Sequence, residues 1–147
     1  MTTQQTDQSP LIGVVVVTHG QLATELVNAA EMITGELPQV AAVSIGWHDD
    51  VNAAQDELTD AMRRVTSPSG VLILTDMFGG TPSNLGISFL AEGHVEVVTG
   101  VNLPMVIKVV SLRASSDLLD VARQVREHAR DAIWVASDLV RKDAENA

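Results

Sequence analysis

A histidine, an aspartate and a glycine-rich turn are the parts of this 147-residue chain best suited to chemistry. His19 stands in Thr18-His19-Gly20, where the glycine lets another group come close to the ring. Asp76 ends the run Leu74-Thr75-Asp76, and Gly79-Gly80-Thr81-Pro82-Ser83-Asn84 follows shortly after. A carboxylate bonded to one imidazole N–H fixes the tautomer and makes the other ring nitrogen the better nucleophile. Two glycines permit positive φ, and backbone N–H groups beside the hydroxyls of Thr81 and Ser83 would then form an anion site suited to a phosphoryl group. Each feature alone has a blander reading: a loop histidine held by local hydrogen bonds, a turn or cap aspartate, a simple Gly-Gly turn. Brought to one edge, they become a nucleophile, its orienter and a cradle.

The elements around them place them on such an edge. Residues 12–18 (IGVVVVT), 40–45, 71–75 (VLILT) and 95–99 are short β-branched or apolar runs of the kind buried on both faces of a parallel sheet. Between them, apolar residues recur at helical spacing from Leu22 to Ile33, where Gly35 stops them, and from Val51 to Val65, where Asp49 and Asp50 offer a cap. Thr81-Pro82 and Pro104 each open a further helix, and residues 117–130 are amphipathic. Residues 132–136 read as a fifth and last strand. Strands alternating with helices predict an α/β fold with a mostly parallel, doubly covered sheet. In a flavodoxin-like order the first and third strands are neighbours, which sets His19 beside Asp76. Ligands bind such sheets beyond the carboxyl ends of the strands. The loops to read are therefore 18–21, 46–50, 76–84 and 100–104.

Those loops hold two further candidates. His48 follows the second strand and could reach the same edge, although beside Asp49 and Asp50 it also reads as a solvated rim residue. Asn102, in Gly100-Val101-Asn102-Leu103-Pro104, either bonds within the site or shapes the turn. His94 falls on the opposite edge, and His128 on the outer face of a helix.

Composition excludes much else. With 46% hydrophobic and 19% charged residues the chain folds as one domain, here residues 11–141, between a polar tail (1–10) and a frayed C-terminus (142–147). Zero cysteines rule out disulfide, thiolate and cysteine-based metal chemistry, and nothing calls for a cofactor or metal. The net charge of −10 disfavours nucleic acid and anionic membranes as partners. No apolar run approaches the roughly 20 residues of a membrane span, and the N-terminus lacks a signal peptide, so the expectation is a cytoplasmic domain. Nucleotide-binding glycine motifs are absent, and a hydrolase would need another acid–base group. What remains is a histidine that takes a phosphoryl group from one protein and gives it to another.

The motifs Val17-Thr18-His19-Gly20, residues 75–84 and Gly100-Val101-Asn102-Leu103-Pro104-Met105 resemble, in this order, the IIA domain of the mannose family of the bacterial phosphoenolpyruvate:sugar phosphotransferase system (PTS). The resemblance covers residues 11–140. It implies phosphorylation of His19 at Nε2 with Asp76 on Nδ1, and phosphoryl oxygens held by the backbone around Phe78, Gly79, Gly80 and Thr81 and by the Thr81 hydroxyl. Thr18 and Asn102 would line the site. It further implies phospho-HPr as donor, a IIB protein or domain as acceptor, a homodimer, and strand order 2-1-3-4-5 with an antiparallel last strand. Two departures stand out: the 46–50 loop differs from sugar-transporting members, and the chain ends soon after the last strand, without a fused IIB domain. Transport through a separate IIB, or regulation by an incomplete phosphotransferase system, both fit. The phosphotransfer domain of the dihydroxyacetone kinase system is a third relative to weigh, but residues 78–82 favour the mannose type. A receiver domain phosphorylated on Asp76 would need an acidic pair where Thr18-His19-Gly20 stands. Donor docking is expected over an acidic rim of Asp49, Asp50 and Asp76 around an apolar contact drawn from Met77, Phe78 and Leu103.

Overall fold

The computed structural model describes residues 10–47, 50–114 and 117–146. Four strands form one parallel sheet: β1 (Gly13–His19), β2 (Val40–Ile45), β3 (Val71–Thr75) and β4 (Val95–Thr99), in the order β2-β1-β3-β4. The helices between and after them are α1 (Leu22–Thr34), α2 (Val51–Val65), α3 (Thr81–Ile87), α4 (Leu103–Leu112), α5 (Leu118–Asp131) and α6 (Ala136–Glu145).

The unbroken apolar runs of the strands follow from burial on both faces. Val14 and Val16 of β1 face one core with Leu72 and Leu74, covered by α1, α4 and α5 through Val27, Val106 and Val125. Val15 and Val17 face the other with Ile73, covered by α2 through Leu58 and Val65 and by Leu85 of α3. This two-sided packing holds the carboxyl ends of the strands in fixed register. Val17 lies opposite Thr75 on one side, and His19 lies opposite Ile45 on the other. Asp76 therefore leaves β3 beside the end of β1. The first strand ends on His19 itself, one residue later than the sequence pattern suggested.

The expected fifth strand is corrected. Residues 133–135 (Ile-Trp-Val) have the composition of a strand but pair with none of the four strands, and every strand of the sheet is parallel. A strand exists only where a ladder satisfies its backbone. The run instead leaves α5 in the open, with Ile133 76%, Trp134 52% and Val135 66% exposed. The chain then turns into α6, a helix with no buried residue that continues to Glu145, past the point where fraying was expected at Lys142. Its Lys142 ammonium sits 5.6 Å from the Trp134 ring centre, a cation–π contact that ties the helix to the segment before it. The order is 2-1-3-4, not 2-1-3-4-5. The expected tail at residues 1–10 lies outside the described residues, except for Pro10.

Candidate functional site

The site starts from the two strand ends. Thr18, the last buried residue of β1, turns its hydroxyl inward to accept the Ala23 N–H at 2.7 Å. Gln21, at the N-cap of α1, supplies no side-chain bond there, so Thr18 satisfies a donor that the helix start leaves open. The next residue, His19, then projects from the sheet edge with its side chain 52% exposed.

Asp76 takes hold of it at two points. Its Oδ2 accepts the His19 backbone N–H at 3.0 Å and meets Nδ1 of the ring at 2.8 Å. Its Oδ1 accepts the Met77 N–H at 3.0 Å, so both carboxylate oxygens are engaged and the side chain is fixed. Burial pushes the Asp76 carboxyl up, but the hydrogen bonds from the His19 ring and main chain, with attraction to the ring's charge, outweigh it. The carboxyl is held below its ordinary value of 3.8 and stays ionised at neutral pH. An ionised Oδ2 only accepts, so the neutral ring must carry its proton on Nδ1. Nε2 is left with the lone pair, and the arrangement can therefore do nucleophilic chemistry there.

Nε2 faces the glycine turn. Gly79 and Gly80 have φ of 92° and 90°, a region that disfavours any side chain. A Cβ on Gly80 would stand 3.2 Å from both Nε2 and Cε1 of His19, so only glycine leaves that approach open. Ser83 sets the turn. It is fully buried, and its hydroxyl accepts the Gly79 N–H at 2.8 Å. Beside His19 a cleft of about 440 Å³ opens, walled also by Gly20, Ile45, Trp47, Val51 and Thr81.

The structure thus gathers His19, Asp76, Gly79, Gly80 and Thr81 at one edge, with Phe78 77% exposed beside them. Thr18 and Ser83 lie under the site with their hydroxyls spent on the framework. Asn102 is drawn elsewhere: its Oδ1 accepts the Met105 N–H at 3.0 Å, capping α4, and its Nδ2 donates to the Ala129 carbonyl at 3.1 Å. It borders a separate pocket with Thr99, Arg126 and Ile133, not the cleft around His19. Asp50 caps α2 by accepting the Asn52 N–H, whereas His48 and Asp49 lie outside the described residues. Trp47, a wall of the cleft, was not singled out by sequence reasoning. Its only signal there was the unusual 46–50 loop.

Comparison with known proteins decides what kind of protein carries this edge. Residues 13–126 match the family model described as the PTS system fructose IIA component. The chain belongs to that family. It is 31% identical over 133 residues to the fructose-specific EIIA component of Bacillus subtilis (strain 168), covering 90% of this chain and 91% of that protein. It is 29% identical over 110 residues to the mannose-specific EIIAB component of Escherichia coli (strain K12), which covers 74% of this chain but 34% of that protein. Among solved structures, the PTS IIA protein associated with the fucose utilization operon of Streptococcus pneumoniae superimposes with a TM-score of 0.79 at 25% identity. The superposition covers 90% of this chain and 98% of that one. The mannose-type PTS IIA fold, a parallel sheet with helices on both sides, is therefore this chain's fold. No described helix is long and apolar enough to cross a membrane.

Proposed function

We propose that this chain is a cytoplasmic phosphocarrier that accepts a phosphoryl group from phospho-HPr on His19 Nε2 and passes it to a IIB protein. The observation that carries the reading is the pair of His19 and Asp76 with Gly80 against the free ring nitrogen. Membership of the PTS IIA family supports the same chemistry. In the transfer, the Nε2 lone pair attacks phosphorus as the P–N bond to the donor's histidine breaks, and that bond's electron pair returns to the donor ring. The proton on His19 Nδ1 stays in place, held by Asp76. No water is consumed, and the mirror-image step passes the group to the acceptor. Most of the catalysis in such a step is positioning and charge stabilisation. The donors in this reading are the backbone N–H groups of Phe78, Gly80 and Thr81 and the Thr81 hydroxyl, which would meet phosphoryl oxygens, while Ser83 accepts the Gly79 N–H and keeps the turn in shape.

A homodimer belongs to the same reading. The exposed run 133–135, the unburied helix α6 and the outer edge of β4 are surfaces that a second copy would cover.

Reconstitution tests the reading. With phosphoenolpyruvate, enzyme I and HPr, the chain should gain one phosphate, which a IIB protein then removes. Labelling that does not depend on HPr would refute the proposed donor. A labelled chain that holds its phosphate before IIB proteins of the fructose, mannose and sorbose types would favour the regulatory reading.

A further inference from the structure

The cleft beside His19 has one wall that the transfer chemistry does not use. Trp47 stands two residues beyond Ile45, which is the register partner of His19, and the Gly20 N–H donates to the Ile45 carbonyl at 2.8 Å. The end of β2, two residues before Trp47, is thus tied to the strand end that carries His19. Trp47 is 100% exposed, and Val51, which lines the same cleft, continues the apolar surface at 54% exposed. An indole held wholly in water in the same cleft as a reactive histidine is unusual for a lone chain and typical of an unfilled contact.

The charges around the cleft indicate what fills it. The loops at 18–21, 46–50, 76–80 and 100–102 contain no lysine or arginine, while Asp50 and Asp76 stand at the edge of a chain of net charge −10. A free phosphorylated metabolite would meet carboxylates and no cation. A phosphoryl group reaches His19 more readily on a partner that brings its own positive face, and an apolar shelf then fits the surface around that partner's phosphorylated side chain.

We infer that Trp47, with Val51 on the same cleft wall, is the anchor on which the basic, phosphorylated donor protein docks to reach His19. The inference rests on the phosphocarrier reading and adds a residue to its partner recognition.

The test compares two donors on the full chain. Initial phosphorylation rates are measured against phospho-HPr concentration and, separately, with phosphoramidate, a donor too small to use the shelf. Trp47→Ala should raise KM for phospho-HPr about thirtyfold, the threshold of an interface hot spot, and Trp47→Phe should recover most of it. The loss with phospho-HPr should exceed the loss with phosphoramidate at least about tenfold. The chain has two tryptophans and no tyrosine, so Trp134→Phe leaves Trp47 as the sole strong emitter. Its emission should shift to the blue when a tryptophan-free HPr is added. An unchanged KM in Trp47→Ala, equal losses with the two donors, or blue-shifted Trp47 emission that tracks the chain's own concentration would each overturn the docking role alone. Absence of labelling of the wild type by either donor would overturn the phosphocarrier reading as well.

Discussion

Replacing Asp76 by asparagine probes the reasoning most closely, because it keeps shape and removes one acceptor. Three donors converge on the carboxylate: the His19 backbone N–H and Nδ1 on Oδ2, and the Met77 N–H on Oδ1. Asparagine has one oxygen. If that oxygen faces His19, the amide NH2 points at the Met77 N–H and a donor meets a donor. If it faces Met77, the NH2 points at His19 and bonds the ring only when Nδ1 gives up its proton. That places the proton on Nε2 and blocks the nucleophile. Either choice loses a charge-assisted bond of about 1.5–3 kcal/mol. At 1.36 kcal/mol per factor of ten, phosphorylation of His19 should slow by about 10–100-fold. The assay is rapid-quench labelling by phospho-HPr at saturating donor, with thermal melting alongside. At about 2–4 °C per kcal/mol for a chain of this size, the melting temperature at pH 7 should fall by about 3–12 °C. The pH dependence has a definite sign. The carboxyl's pKa is lowered in the folded chain, so its contribution to stability is present above the ordinary value of 3.8 and fades as pH drops through the folded value. The gap in stability between wild type and Asp76→Asn should therefore narrow below about pH 4. Wild-type transfer rates in Asp76→Asn would refute the orienting role.

Two further substitutions test the turn. Gly80→Ala puts a methyl group 3.2 Å from Nε2 and forces alanine to φ of 90°, so labelling should drop more than about a hundredfold with about 1–3 kcal/mol lost in denaturant melts. Normal labelling in that variant would show that the phosphoryl group approaches from elsewhere. Ser83→Ala leaves the Gly79 N–H without its acceptor and should cost about 1–2 kcal/mol and slow transfer several-fold, both read from the same melts and quench experiments. Unchanged stability would show that the turn holds without the serine hydroxyl.

The buried strands were legible because burial on both faces writes a continuous apolar run, as in residues 12–18 and 71–75. With strand order in hand, the pairing of His19 with Asp76 followed from their places just past two strand ends. The run Ile133-Trp134-Val135 carries the same composition, yet it forms no strand: composition records apolarity and β-branching, whereas a strand also needs a bonded neighbour, and this run lies against none of the four. Helix α6 was missed for a related reason, since it buries nothing and the helical spacing of Leu139, Val140 and Asp143 leads to no core. Side-chain direction in loops was the other gap. Ser83 and Thr18 both read as site hydroxyls, but the backbone at Gly79 and the start of α1 turn them inward. Asn102 carried a visible cap signal, an asparagine two residues before Pro104, and the cap explains its placement. Trp47 could be seen only as part of an unusual loop, because exposure is a property of what a fold leaves uncovered.

The central claim is that the phosphoryl group resides on Nε2 of His19 while Nδ1 keeps its proton against Asp76. The most direct measurement is a long-range nitrogen–phosphorus correlation spectrum of the 15N-labelled chain phosphorylated by the phosphoenolpyruvate relay, with His19→Ala as the companion sample. The account predicts one phosphate per chain, acid-labile and base-stable, coupled to a single ring nitrogen assigned as His19 Nε2, and no labelling of His19→Ala. Phosphate coupled to Nδ1, or found on another residue and retained in His19→Ala, would contradict it.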